Sequence, residues 1–214
     1  MLTIPKRILQ APLMRQGGYA VVPGLFAPEA IASLRCEADV QRSQAQDVCV
    51  RRSDAEPIRG GDPARKFLNA PGGAVQLALY GNLVLRQTVA SIVGLPIVPT
   101  GSGGTFTYYC RPLDFLTIHR DIVTCDVALI TCLAETGVRG SGGKLCLYPQ
   151  RIWEDLGSLR REPIRGAVPV RLAPGETAIL LGGIVPHCTL PVSGGQCRVV
   201  SLLCYRVLSS QSEV

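Results

Sequence analysis

The sequence is poor in aromatic residues and in histidine. Phe, Tyr and Trp make up 5% of the 214 residues, and there are two histidines, His119 and His187. So few aromatic side chains argue against a surface on which nucleic-acid bases stack, and neither pair of adjacent arginines (51–52 and 160–161) is interleaved with aromatics. We therefore assign the net charge of +6 to a solvated surface and expect no nucleic-acid partner.

Long hydrophobic runs are also missing. No stretch approaches the roughly 18 apolar residues of a transmembrane helix, so no membrane association is expected. Lys6, Arg7 and Arg15 interrupt the apolar N-terminal segment, which lacks the ordered zones of a secretory signal. The expected compartment is the cytoplasm. With 47% hydrophobic and 18% charged residues, the composition is that of a folded globular protein.

The nine cysteines include no CxxC pair, so a zinc ribbon is not indicated. Their number is odd and no export signal accompanies them. Several of them, including Cys132, Cys146 and Cys204, lie within apolar runs, where cysteine behaves as a small hydrophobic residue. We predict that they are mostly buried, reduced thiols.

The sequence predicts a single domain over residues 1–214, with a helical supporting region at 1–100 and a β-rich core at 101–208. Pro28 and Glu29 suit the first turn of a helix, and residues 73–95 read as one or two further helices. Between them, residues 47–71 are rich in Arg, Asp, Gly and Pro, which predicts a loop over a site.

After residue 100, short apolar or alternating runs are separated by turn residues. This pattern predicts a mainly β fold with N-terminal helices, namely a double-stranded β-helix, the jelly-roll or cupin-like barrel. The predicted strands are 105–109, 115–119, 126–134, 144–148, 168–172, 177–181 and 199–207.

His119 and Asp121 lie two residues apart at the end of a predicted strand. Because residues i and i+2 of a strand point to the same face, the imidazole and the carboxylate would project together into the barrel. His187 follows a later apolar strand. A 2-His-1-carboxylate set leaves open positions on iron(II) for a chelating cosubstrate and for oxygen. A short HxD motif alone is more often a hydrogen-bonded core histidine beside an incidental aspartate.

Arg198 adds weight to this interpretation. It begins the apolar run 199–205, and a guanidinium entering an apolar strand needs an anion, for which a carboxylate is a bidentate partner. The alternative is a surface arginine at a strand end.

The ordered pattern of His119, Asp121, His187 and Arg198 in a β-rich half resembles the 2-oxoglutarate/iron(II)-dependent dioxygenase superfamily, in its prolyl-hydroxylase-like or phytanoyl-hydroxylase-like branches. Segments 142–149 (GGKLCLYP) and 173–176 (APGE) resemble the strands that precede the distal histidine in these enzymes. The resemblance covers residues 105–205, and residues 18–40 more loosely.

The resemblance implies that His119, Asp121 and His187 bind iron(II) and that Arg198 binds the far carboxylate of 2-oxoglutarate. Tyr109 is similar to a tyrosine that prolyl-hydroxylase-like members place against this cosubstrate. The common Arg-x-Ser pairing is absent, because Ser201 would face away from Arg198; Tyr109 or Thr131 is expected to supply the second hydroxyl. Related halogenases carry Ala or Gly where this chain has Asp121, so hydroxylation is expected.

The implied activity consumes O2, converts 2-oxoglutarate to succinate and CO2, and hydroxylates a small molecule such as an amino acid or a natural-product intermediate. Three alternatives remain open: a peptidyl or protein side-chain hydroxylase, a non-enzymatic barrel that binds a small ligand, and a zinc-dependent cupin. The sequence carries no indication of the substrate or the oligomeric state.

Overall fold

A computed structural model describes residues 4–101, 103–137 and 142–208. Four of its α-helices have four to eight residues and two have 14 and 11, and most precede the β-rich half. They are α1 (Lys6–Leu9), α2 (Pro12–Arg15), α3 (Pro28–Gln41), α4 (Ala74–Gly81), α5 (Leu83–Val93) and α6 (Leu156–Arg161). Single 3-10 turns occur at Arg42–Gln44, Arg52–Asp54 and Pro149–Arg151.

The described residues form twelve strands that belong to one antiparallel sheet. They are β1 (Tyr19–Val22), β2 (Gln46–Val50), β3 (Arg65–Pro71), β4 (Ile97–Pro99), β5 (Thr105–Tyr109), β6 (Phe115–His119), β7 (Val127–Thr136), β8 (Leu145–Leu147), β9 (Val168–Val170), β10 (Thr177–Leu180), β11 (His187–Thr189) and β12 (Cys197–Val207).

The sheet has the order β1-β10-β7-β12-β5-β3-β6-β11-β8-β9, with β2 attached to β3 and β4 attached to β12. Neighbours in this order come from distant parts of the chain, as in a double-stranded β-helix. The sheet curls around an internal cavity, and the predicted fold class is confirmed.

The first hundred residues contribute more to the sheet than predicted. Four strands precede residue 100, and β3 lies in the middle of the sheet between β5 and β6. The segment predicted as one loop over 47–71 therefore contains most of β2 and all of β3, joined by a loop. Its polar residues obscured the alternation of β3, in which Phe67 is buried and both Lys66 and Leu68 are half-buried.

The helices begin where their sequences favour it. Pro28 occupies the first turn of α3, as predicted. The Glu37 carboxylate on α3 accepts hydrogen bonds from the free N–H groups of Val75 and Gln76 at the start of α4. Gly94 ends α5 with φ of 77°, a left-handed conformation that favours glycine.

The two faces of the central strands have different roles. Leu129 of β7 and Leu203 of β12 pack with Val89 and Val93 of α5 in the largest hydrophobic core. The alternate residues, such as Ile130 and Leu202, line the internal cavity instead. The helices thus cover one face of the sheet, and the other face is left to form a site.

The predicted state of the cysteines was wrong for four of them. Disulfides join Cys110 to Cys197 and Cys125 to Cys204. Of the five unpaired cysteines, two are exposed and three are buried, namely Cys36 and Cys49, then Cys132, Cys146 and Cys188. Sequence spacing could not reveal the pairs, because the bonded cysteines are 87 and 79 residues apart and meet only when β12 takes its place in the sheet.

Among the described residues, none of the helices has the length and apolar character needed to cross a membrane.

Candidate metal and cosubstrate site

His119, Asp121 and His187 converge at one end of the cavity. The Nε2 atoms of His119 and His187 lie 3.6 and 3.5 Å from Oδ1 of Asp121, and the two imidazole rings are 4.2 Å apart between centroids. One ligand atom from each residue falls within 4.8 Å of the others, a spacing that a single metal ion can bridge. All three side chains are largely buried.

Strand pairing brings the two histidines together. His187 of β11 lies directly opposite His119 of β6, and Thr189 lies opposite Leu116. The register shifts between these pairs, so three steps along β6 match two along β11. This irregularity turns both His119 and Leu116 toward the cavity.

Asp121 reaches the site by a different route from the one predicted. It was expected to share a strand face with His119, but β6 ends at His119. The segment after the strand is held by a hydrogen bond from the Asp121 backbone N–H to the Gly182 carbonyl. The convergence of carboxylate and imidazole therefore depends on a tertiary contact as well as on strand alternation.

The two imidazoles are oriented as metal ligands. Nδ1 of His119 is 2.9 Å from the Thr117 carbonyl oxygen, and Nδ1 of His187 is 3.0 Å from that of Val185. Because a carbonyl oxygen only accepts, each Nδ1 donates to its carbonyl, which leaves each Nε2, on the Asp121 side, as the atom that could bind a metal.

The electrostatics suit a charged carboxylate between imidazoles. Burial opposes ionisation of Asp121, but the charges of and hydrogen bonds with His187 and His119 outweigh burial and lower the pKa of Asp121. Burial, followed by the neighbouring His187, lowers the pKa of His119, which keeps this ring neutral at pH 7. Burial also opposes protonation of His187, but Asp121 outweighs it and raises the pKa of His187.

Two residues that the sequence did not single out hold Asp121 in place. Gly182 lies so close to Oδ2 of Asp121 that a Cβ atom at this position would collide with the carboxylate. Arg59 donates from Nε to the Asp121 carbonyl oxygen and from Nη2 to the Ile122 carbonyl oxygen and to Asp126. The Gly182-Gly183 doublet shortly before His187 could have drawn attention to Gly182 in the sequence. No sequence feature pointed to Arg59.

Arg198 and Tyr109 lie opposite each other on β12 and β5 and both line the cavity. The Arg198 side chain is buried, and its Nη1 donates to the Leu172 carbonyl oxygen at 3.3 Å and lies 3.9 Å from the Glu135 carboxylate. Glu135 is already engaged at 2.9 Å by Arg171. Arg198 thus retains donors for an incoming carboxylate.

The Tyr109 hydroxyl is a suitable second donor beside Arg198. Burial raises the pKa of Tyr109 to about 12, so its phenol keeps its proton at neutral pH. Thr189, a cavity residue on β11 that the sequence did not indicate, is near enough to the phenol to oppose this rise in the pKa of Tyr109 in part. Tyr109, Thr189 and Arg198 together form a polar end of the cavity.

Thr131 is not brought to this group. Its hydroxyl is 2.9 Å from that of Thr177, on the face of β7 opposite to Ile130, which lines the cavity. We therefore leave Thr131 out of the proposed cosubstrate site. Ser201 also points away from Arg198, as expected from its odd spacing, and accepts a hydrogen bond from Gln76.

The cavity itself has a volume of about 560 Å³. Apolar side chains, including Phe67, Val200 and Leu202, form much of its wall, and the loop residues 60–63 contribute to its rim. An apolar chamber of this size with a few converging polar groups is typical of a small-molecule site.

No protein-family model matches the chain, and no curated protein matches it. Solved structures share its fold. AviO1 from Streptomyces viridochromogenes Tue57 is 20% identical over 98% of both chains with a TM-score of 0.65. A prolyl-4-hydroxylase of Pseudomonas putida is 18% identical over 92% of this chain and 96% of its own, with a TM-score of 0.59. HygX from Streptomyces hygroscopicus, solved with nickel, 2-oxoglutarate and hygromycin B, is 14% identical over 94% and 87%, with a TM-score of 0.61.

Proposed function

We propose that the protein is a 2-oxoglutarate-dependent iron(II) dioxygenase that hydroxylates a small molecule. The observation that carries this proposal is the meeting of His119, Asp121 and His187 in the same cavity as Arg198 and Tyr109. Two imidazoles and one carboxylate suit non-haem iron(II). The fold shared with HygX, which was solved with a metal and 2-oxoglutarate, supports it.

The residues divide the work in the following way. His119, Asp121 and His187 would hold iron(II), with the Nε2 lone pairs fixed by the Thr117 and Val185 carbonyls. Arg198 and the protonated phenol of Tyr109 would bind the distal carboxylate of 2-oxoglutarate. When bound, the iron supplies the activation of O2 that couples decarboxylation of 2-oxoglutarate to succinate with oxidation of the substrate.

The apolar wall would hold the substrate and exclude water from the reacting centre. Phe67 packs edge-on against Tyr109 with ring centroids 5.5 Å apart, which fixes the phenol beside Arg198. The cavity volume of about 560 Å³ suits a small molecule more than a long peptide. Turnover of peptides far above that of free amino acids and similar small molecules would favour a peptidyl hydroxylase instead.

Asp121 also argues for hydroxylation over halogenation. Related halogenases carry Ala or Gly where this chain has Asp121, and here the carboxylate fills the space against Gly182. A chloride-dependent chlorinated product would contradict this assignment.

The decisive experiment is an anaerobic titration of the purified protein with iron(II) and 2-oxoglutarate, followed by the visible charge-transfer band of the chelate. The wild type should develop the band, and His119→Ala should lose it. Arg198→Ala should need about ten- to a hundredfold more 2-oxoglutarate, because a charge-assisted hydrogen bond is lost. Arg206→Ala, which removes an exposed arginine of the same strand, should behave as the wild type.

Absence of the band, with no iron retained after purification, would make both histidines structural. The non-enzymatic ligand-binding barrel would then be the better interpretation.

A further inference from the structure

A second cavity lies on the outer side of the strand pair that carries the histidines. It has a volume of about 440 Å³. Phe115 and Ile118 of β6 and Leu190, which follows β11, line it. Pro163 and Ile164, which follow α6, form part of the opposite wall. Leu116 and Thr189 contribute to both cavities, so the two are separated by one layer of the sheet.

The charge of this outer cavity is unbalanced. Among the described residues, those that line it with a charge are Arg52 and Arg160, and none is a carboxylate. In the described part of the chain neither arginine has an ion pair, whereas Arg59 is paired with Asp126 and Arg151 with Glu154. Two unpaired guanidiniums in one pocket favour an anion.

Arg160 is fixed in place but not fully satisfied. Its Nε donates to the Ile118 carbonyl oxygen at 3.0 Å, which anchors the guanidinium against β6. Its Nη2 is buried and has no hydrogen-bond partner among the described residues. Burial lowers the pKa of Arg160, since no carboxylate offsets the desolvation. Arg52 stacks over the Phe115 ring, with its Cζ atom 5.5 Å from the ring centroid.

The remaining wall is apolar and partly open. Ile164 is 88% exposed, an unusual degree for a large hydrophobic side chain beside a cavity. The Tyr148 hydroxyl, which could otherwise compete for a ligand, already donates to the Pro163 carbonyl oxygen at 2.7 Å. A ligand would therefore meet two cations against a hydrophobic surface.

We propose that this outer cavity is a second binding site for a small amphipathic organic anion, whose acidic group is bound by Arg160 with Arg52 and whose apolar body lies against Ile118, Leu190 and Ile164. A carboxylate, sulfonate or phosphate would supply the counter-charge that Arg160 and Arg52 lack among the described residues. The site is independent of the proposed oxygenase activity, because it uses the other face of β6 and β11.

The test uses 8-anilinonaphthalene-1-sulfonate as the probe and its fluorescence as the measurement of binding to the folded protein. The wild type should show saturable binding to one site. Arg160→Gln should weaken it by about ten- to a hundredfold, the usual effect of losing a hydrogen bond to a charged group. The matched control is Arg161→Gln, on the same helix, since Arg161 does not line the cavity.

A second pair of variants leaves Arg160 and its anchoring bond intact. Ile164→Asp places a carboxylate at the rim and should weaken binding several-fold, whereas the neutral Ile164→Asn should weaken it less. Both changes are at an exposed position, so folding is retained, which near-ultraviolet circular dichroism checks. The uncharged N-phenyl-1-naphthylamine should bind more weakly than the sulfonate and should not respond to Arg160→Gln.

Binding in the inner cavity would give a different pattern. In that case Arg198→Gln, which removes the guanidinium of the inner cavity, would lower the affinity for the probe, and Arg160→Gln would leave it unchanged. That result would overturn the proposal. So would equal losses of affinity in the Arg160→Gln and Arg161→Gln variants, or a wild type that shows no saturable binding. None of these outcomes depends on whether the protein binds iron or 2-oxoglutarate.

Discussion

At the scale of single residues, the candidate metal site depends on Gly182, a neighbour of Asp121, as well as on the ligands themselves. Asp121 has no strand to orient it, and its position is set by a backbone hydrogen bond to Gly182 and by contact of its carboxylate with the same glycine. A side chain at 182 would have to displace the carboxylate. The requirement for glycine here is steric.

Gly182→Ala is therefore expected to weaken metal binding by about tenfold or more without unfolding the protein, because a misplaced ligand or its supporting contact typically costs this much affinity. The measurement is titration with Co²⁺ or Fe²⁺ under anaerobic conditions. The control is Gly194→Ala, since a Cβ at Gly194 would meet nothing within 4 Å. Equal metal affinities in the two variants would show that Asp121 is not a ligand or that Gly182 does not position it.

At the scale of elements, the loop between β2 and β3 is attached to the segment that carries Asp121. Arg59 in this loop makes three hydrogen bonds to residues 121, 122 and 126, one of them within an ion pair of 3.2 Å with Asp126. The neighbouring residues 60–63 lie at the cavity rim. One arginine thus couples the order of the rim to the position of a proposed metal ligand.

Arg59→Gln should increase the mobility of both the loop between β2 and β3 and the segment that carries Asp121. We expect faster amide hydrogen exchange in residues 55–64 and 121–126, and a loss of stability of about 1–3 kcal/mol, since hydrogen bonds from a charged group are removed. The control is Arg51→Gln, because the exposed Arg51 side chain makes no hydrogen bond or ion pair with the described residues. Unchanged exchange at 121–126 in the Arg59 variant would contradict the coupling.

At the scale of the whole molecule, β12 connects the parts of the fold. It pairs with β7 and β5 along its length and with β4 at its end. Both disulfides attach to it, through Cys197 next to Arg198 and through Cys204 in the cavity wall. The strand that carries the proposed cosubstrate arginine is therefore covalently fixed at two places.

Breaking either disulfide should lower the stability of the whole domain. The paired cysteines are 87 and 79 residues apart, and a disulfide that closes a long loop contributes about 2–4 kcal/mol, largely through the unfolded chain. We expect a lower melting temperature for Cys204→Ser and for the wild type under reducing conditions. Cys36→Ser, which changes an exposed unpaired cysteine, is the control.

Mass spectrometry after alkylation of the unfolded but unreduced protein should find five free thiols. Nine free thiols, or a Cys204→Ser variant as stable as Cys36→Ser, would contradict the disulfide assignment.

The sequence alone determined the fold class and the identity of the proposed metal ligands. Strand alternation after residue 100 is local information, because it depends on side chains that point in turn to the core and to the cavity. β5 and β6 were therefore predicted with the bounds they have. Two histidines left few alternatives for an imidazole ligand set, and the position of Arg198 in an apolar strand required an anion.

Tertiary structure decided what depends on distant parts of the chain. Both Thr131 and Tyr109 were candidates for the second hydroxyl, and only Tyr109 had the support of the family resemblance. Pairing of β7 with β10 turns Thr131 toward Thr177, while pairing of β5 with β12 places Tyr109 opposite Arg198. The same is true of β3, the disulfides, Arg59 and the outer arginine pocket. Contacts across a sheet with this strand order join residues far apart in sequence, and no local pattern records which of them meet.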